Sequence, residues 1–217
     1  MLLWLLFLPF CEALWEPGDR IVKKIRVDSD LTITVVDNYF ANVDAIMNIP
    51  LELSALNLLN YPGLKYELSI PHNLQPYSCT INEILTEPSQ LGVFQAEPHS
   101  DGAGSRVILV YFEDIEDSGT AFYRHKKTNR SYPRFSPSGM PSVLSHESQH
   151  ALYDYELRSE TFKRAYMWGS NKNWDLIYHV QAKKNRAVMY SGEFYHSAVF
   201  KTFHRGRLTL NCMHWIH

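Results

Sequence analysis

The residues best equipped for chemistry fall into two short patterns. The first is Pro98-His99-Ser100-Asp101. In an extended chain, residues two apart project to the same side, so His99 and Asp101 share a face. One imidazole and one carboxylate make two thirds of a facial metal triad. By itself the pattern is common in a chain with ten histidines, and a surface pair at a turn is its plainer reading. The second pattern is His146-Glu147-Ser148-Gln149-His150. On a helix its two histidines stand one turn apart and could bind zinc, with Glu147 as general base of a metallopeptidase. No third ligand stands out, because Asp154, Glu156 and Glu160 are polar residues of the same stretch. A solvated helix face is the favoured reading there.

The elements that must position these residues are mostly strands. Residues 31–36 (LTITVV) alternate and are β-branched, which predicts a strand. Asn42 is placed to cap a short helix over Val43 to Asn48, ended by Pro50. Tyr61-Pro62-Gly63 is a turn signal. Thr80 and Glu83 have capping-box spacing, which predicts a helical turn through Leu85. Beyond Leu91 short strands are expected at 91–97, 106–112, 120–125, 175–181, 186–191, 195–200 and 207–215, a pattern of sandwiches and jelly rolls. Residues 106–112 are apolar on both faces and should be buried on both sides. Residues 126–174 interrupt the strands. Pro133 and Pro137 mark a loop, Ser142 to Trp168 reads as helical, and such insertions often carry substrate contacts.

Composition narrows the classes. The chain has 217 residues, enough for one domain with a real core. Hydrophobic residues make up 45% and charged residues 20%, which argues against global disorder. A net charge of -2 without a Lys/Arg stripe argues against a nucleic-acid partner. Cys11, Cys79 and Cys212 are odd in number and widely spaced, neither a disulfide framework nor a zinc knuckle, and fit a reducing compartment. The apolar opening, MLLWLLFLPFCEALW, is too short to span a bilayer. Residues 1–20 read either as a signal peptide or as an extension outside the native protein. The domain proper is residues 21–217. A cytoplasmic location is expected, or a secreted or periplasmic one if the signal reading holds.

Late in the chain comes Tyr195-His196-Ser197, and then Arg207-Leu208-Thr209. The series His99-x-Asp101, His196, Arg207-x-Thr209 resembles the signature of the Fe(II)- and 2-oxoglutarate-dependent oxygenases. Between its parts, Tyr111-Phe112-Glu113-Asp114 and Ser118-Gly119-Thr120-Ala121-Phe122 resemble the prolyl-4-hydroxylase-like branch. The form GTAFYRH is similar to an uncharacterised bacterial subgroup of that branch. The resemblance covers about residues 25 to 215, except the insertion. It departs at Ser118, where a second glycine is usual, and at Ser100, where an aromatic residue is common.

The resemblance implies a mainly β fold with flanking helices, a double-stranded β-helix or jelly roll, with helices of the N-terminal half packed outside. It implies a dioxygenase, a hydroxylase in kind. His99, Asp101 and His196 would hold iron. Arg207, with Thr209 and Tyr111, would hold 2-oxoglutarate, and O₂ would take the remaining position. A planar guanidinium suits a carboxylate because it donates two parallel hydrogen bonds. The expected partner is a peptide, amino acid or small metabolite, with neither nucleic acid nor membrane. A zinc metallopeptidase using His146-Glu147-x-x-His150 and a jelly-roll binding module without catalysis are the rivals.

Overall fold

The computed structural model describes residues 16–47, 52–53, 63–67, 78–85, 98–102, 104–133, 169–200 and 206–215. The expected strand at 91–97, the His146–His150 motif and the expected helix over 142–168 lie outside these residues.

The described chain is mainly β, in two antiparallel sheets. In chain order the elements are β1 (Ile21–Arg26), β2 (Thr32–Asp37), α1 (Val43–Met47), β3 (Glu52–Leu53), β4 (Gly63–Glu67), β5 (Ser78–Ile84), β6 (Ser105–Tyr111), β7 (Ser118–His125), β8 (Trp174–Gln181), β9 (Arg186–Ser191), β10 (His196–Phe200) and β11 (Arg207–Trp215). The larger sheet runs β1-β2-β9-β6-β11-β5-β4-β3, and the smaller runs β10-β7-β8. Among the described residues no helix is long and apolar enough to cross a membrane.

The large sheet buries both faces, as the two-sided apolar run in β6 requires. One face packs on the small sheet. Ile33, Val35, Val107, Tyr111, Val188 and Tyr190 meet Phe122 and Val180 there. The opposite face carries Val36, Ile81, Ile108, Val110 and Leu210, covered by Val43 and Ile46 of α1 and by Tyr39 and Phe40. Asn42 caps α1, its Oδ1 accepting the backbone N–H of Ala45 at 3.1 Å.

Two expectations are corrected. Thr80 and Glu83 belong to strand β5, not to a helical turn. Cys79 and Ile81 of this strand face the core, and β4 and β11 pair with it on either side. Tertiary pairing overrides a local capping signal. The N-terminal half, expected to supply helices packed outside, supplies among the described residues strands β1 to β5 and one short helix, α1, which packs on the outer face of the large sheet. The cysteines are not all thiols either. Cys79 and Cys212 form a disulfide across 133 positions of sequence. They are direct partners in the β5–β11 register, both buried beneath α1. The reducing-compartment inference therefore loses its basis.

Candidate metal centre

His99, Asp101 and His196 converge, with one ligand atom from each lying within 4.8 Å of the others. Two backbone connections bring this about. His99 and His196 exchange N–H···O bonds of 2.9 Å each, which fixes the segment around His99 against the start of β10. Asp101 donates its N–H to the Gly192 carbonyl at 2.7 Å, and Gly192 donates to Ser105 at the start of β6. Ser100, between the two candidate ligands, turns away and donates its hydroxyl to the same Gly192 carbonyl at 3.2 Å.

Gly192 carries no chemistry itself, and no spacing in the sequence singles it out. A Cβ there would stand 2.1 Å from Ser105 Oγ and 3.0 Å from Asp101 Cβ. Only a hydrogen in place of a side chain lets the β9–β10 turn approach the carboxylate this closely.

The Asp101 carboxylate lies between the two rings. His196 Nε2 is 3.3 Å from Oδ2, and His99 Nε2 is 3.8 Å from Oδ1. The His196 side chain is 7% exposed and that of His99 is 45% exposed, so the cluster opens to solvent on the His99 side. Burial would raise the Asp101 carboxyl, but His196, His99 and Lys65 outweigh it and hold the carboxyl below its ordinary value. Burial would lower His196. Asp101 and a hydrogen bond to the Phe194 carbonyl, 2.8 Å from Nδ1, reverse the sign. That carbonyl needs Nδ1 to carry a proton, which leaves Nε2 of the neutral ring as the nitrogen a metal could take. Tyr190 packs its ring edge on His196 at 4.9 Å.

Residues 54–214 match the model of a family of unknown function, DUF6445. The chain belongs to this family. The matched span contains the whole His99–Asp101–His196 cluster and Arg207. No curated protein and no solved structure matches.

The remaining candidate residues of this DUF6445 member sit deeper between the sheets. Arg207, Thr209 and Asn211 lie along one face of β11, opposite Leu208, Leu210 and Cys212. Thr209 is the register partner of Tyr111 on β6. Arg207 is buried and reaches across to the small sheet. Its Nη1 donates to the Val199 carbonyl at 3.0 Å and its Nη2 to the Gly119 carbonyl at 3.5 Å. Its Nε is buried without a hydrogen-bond partner among the described residues. Two carbonyl bonds use two of the five N–H donors. The guanidinium carbon stands 5.8 Å from the centre of the Tyr111 ring. Tyr111 donates its hydroxyl to Thr120 Oγ1 at 2.7 Å, and burial pushes its phenol up to about 12.

Gly119 is the second close approach. Its φ is 147°, and a Cβ would fall 1.9 Å from the Val180 carbonyl oxygen. Neighbouring Ser118, where the resemblance broke down, donates its buried hydroxyl to the Val199 carbonyl at 2.9 Å. The serine thus ties β7 to β10 through the same carbonyl that accepts from Arg207 Nη1.

Proposed function

We propose that this chain is an Fe(II)- and 2-oxoglutarate-dependent dioxygenase, a hydroxylase, on a double-stranded β-helix. The observation that carries the reading is the pairing of two sites along one strand, β10. The His99–Asp101–His196 cluster lies at one end and the buried Arg207 guanidinium at the other. Val199, whose carbonyl holds Arg207, is three residues along β10 from His196. At strand rise that is roughly 10 Å, a separation suited to a short dicarboxylate with one end at the metal and the other at the guanidinium.

The strand order supports the finer fold. From β5 onward the chain alternates between layers: β5 large, the His99 segment beside β10, β6 large, β7 and β8 small, β9 large, β10 small, β11 large. This order is consistent with a jelly roll.

The residues fit the group they would hold. Two imidazoles and a carboxylate are the donor set of non-haem iron, and three adjacent positions stay open for other ligands. When bound, iron with 2-oxoglutarate and O₂ supplies the oxidising power, and the cosubstrate leaves as succinate and CO₂. The protein's part is positioning. Phe194 orients His196, Gly192 orients Asp101, and the carbonyls of Val199 and Gly119 orient Arg207. The orphaned Arg207 Nε is a donor that a carboxylate would satisfy. Thr209 and Tyr111 line the same face, and the Tyr111 hydroxyl stays protonated, its one proton donated to Thr120.

The test is succinate formation by iron-loaded protein given 2-oxoglutarate and then O₂, beside Arg207→Ala and Asp101→Ala variants. The expected result is succinate from the parent, little from Arg207→Ala, and neither iron uptake nor succinate from Asp101→Ala. A parent that retains no iron, or an Asp101→Ala protein that retains it, refutes the reading.

A further inference from the structure

His125 ends β7 and takes no part in the metal centre. Alternate side chains of a strand share a face, so His125 stands with Ala121 and Tyr123, opposite Phe122. With Trp174, Tyr195 and Val199 those two residues form an apolar cluster on that face of the small sheet. His125 is 4% exposed. Its ring centre lies 4.9 Å from that of Trp174, and Trp174 lies 4.8 Å from Tyr195.

The two ring nitrogens differ. Nδ1 is 3.0 Å from Thr128 Oγ1, whereas Nε2 is buried with no hydrogen-bond partner among the described residues. Either neutral tautomer therefore leaves Nε2 unmatched. A buried polar atom in that state calls for an explanation, and an imidazole inside an apolar cluster is a group that a proton would expel.

The charged groups nearby do not favour the cation. Arg124 and Lys126, its neighbours in sequence, are engaged with Asp28 and Asp175. Glu193, ahead of β10, accepts the Gly104 N–H. Lys127 and Arg130 of the adjoining turn carry the same sign as an imidazolium. Burial first, and Lys127 second, hold the ring below its ordinary value.

Backbone bonds connect this ring position to its surroundings. His125 donates its N–H to the Arg130 carbonyl at 2.8 Å, which closes the turn 126–130. Lys126 donates to Asn173 at 2.8 Å, beside Trp174. Tyr195 donates to Ser131 at 2.8 Å and accepts from Tyr123 at 2.9 Å. The turn, the start of β8 and the residue before His196 thus meet around one imidazole.

We propose that His125 is an acid sensor. Protonation at Nε2 expels the ring from the cluster, and the turn 126–130 opens with it and releases Tyr195. This does not depend on the oxygenase reading. The closed ring stays neutral, whereas the opened ring meets water and binds its proton at the ordinary value of about 6.5. The closed form is therefore fully stable above that value and loses stability as pH falls through it. Linkage favours the open form about 10-fold more at pH 5.5 than at pH 7.5.

The test is hydrogen exchange by mass spectrometry on the full chain at pH 7.5 and 5.5, corrected for the intrinsic pH dependence of exchange. Protection of residues 126–131 and 195–197 should fall about 10-fold at pH 5.5, with 106–111 of β6 unchanged. His125→Phe, which fills the space and cannot titrate, should keep its protection at both values. His125→Gln is the second variant, for the case that His125→Phe melts far below the parent at pH 7.5. His99, His179 and His196 still titrate in both variants, so the difference from the parent isolates His125. Equal protection of the parent at the two values, a loss that persists in the folded variant, or an equal loss in β6 overturns the inference.

Discussion

Reducing the Cys79–Cys212 disulfide should destabilise the whole domain, by an amount the topology sets. The link closes a loop of 133 positions, and its two strands, β5 and β11, lie at the middle of the large sheet. The chain-entropy relation for a loop of that length gives about 5 kcal/mol at room temperature. Domains of this kind are stable by only roughly 5–15 kcal/mol, so the loss would be a large share of the total. For a chain of this size about 1 kcal/mol moves the midpoint roughly 2–4 °C, and the expected fall is therefore roughly 10–20 °C. The assay is thermal unfolding followed by far-UV circular dichroism, with and without reductant. A thiol count in denaturant should rise by two per chain on reduction. Both sulfurs are buried, so reduction should be slow in the folded state and fast in mild denaturant. A Cys79→Ala/Cys212→Ala protein should melt near the reduced parent. If the fully reduced protein melts within a degree or two of the oxidised one, the entropic reasoning fails.

Further outcomes follow from single contacts. Gly192→Ala should push Asp101 away from the two histidines and weaken Mn(II) binding at least 10-fold, with the melting point changed far less; unchanged binding would mean that the turn yields without moving the carboxylate. Asp37 is held below its ordinary value by its hydrogen bonds to Arg186, against the opposing effect of burial. Its contribution is thus complete above the ordinary carboxylate range and lost as pH falls through the lowered folded value, because the unfolded chain takes up the proton first. Asp37→Asn should cost about 1–2 kcal/mol at neutral pH and flatten that part of the acid-denaturation curve; an unaltered curve would refute the assignment.

Local pattern carried the reading wherever a strand's two faces differ or are both apolar. Residues 31–36 announced β2 by alternation, and the two-sided apolar run at 106–112 announced a strand buried between layers, as Val107 on one face and Ile108 on the other confirm. The approach of His99 and Asp101 was legible because both belong to one short extended segment. What escaped were features set by register between distant strands. Cys79 meets Cys212, and Lys65 shares a row with Asn82 and Thr209, only because of how β4, β5 and β11 align. Gly192 was equally silent, since its role is to leave space, and a missing side chain has no periodicity. The Thr80–Glu83 spacing misled because pairing with β4 and β11, which no local pattern reveals, fixes this segment as a strand.

Among the described strands β1 is one edge of the large sheet, and that edge has a consequence for how copies of the protein meet. The outer ladder of β1 pairs with no described strand. Ile21 and Val22, 66% and 57% exposed, stand at its start, an apolar invitation to add another strand. The next residues are Lys23 and Lys24, and the strand ends in Arg26. A second copy docking edge to edge in antiparallel fashion would bring these cations against their own counterparts. At low salt the chains should repel each other at this edge. As salt screens the charges over less than about 10 Å, the apolar pair is left to act, and self-association through β1 should grow with ionic strength.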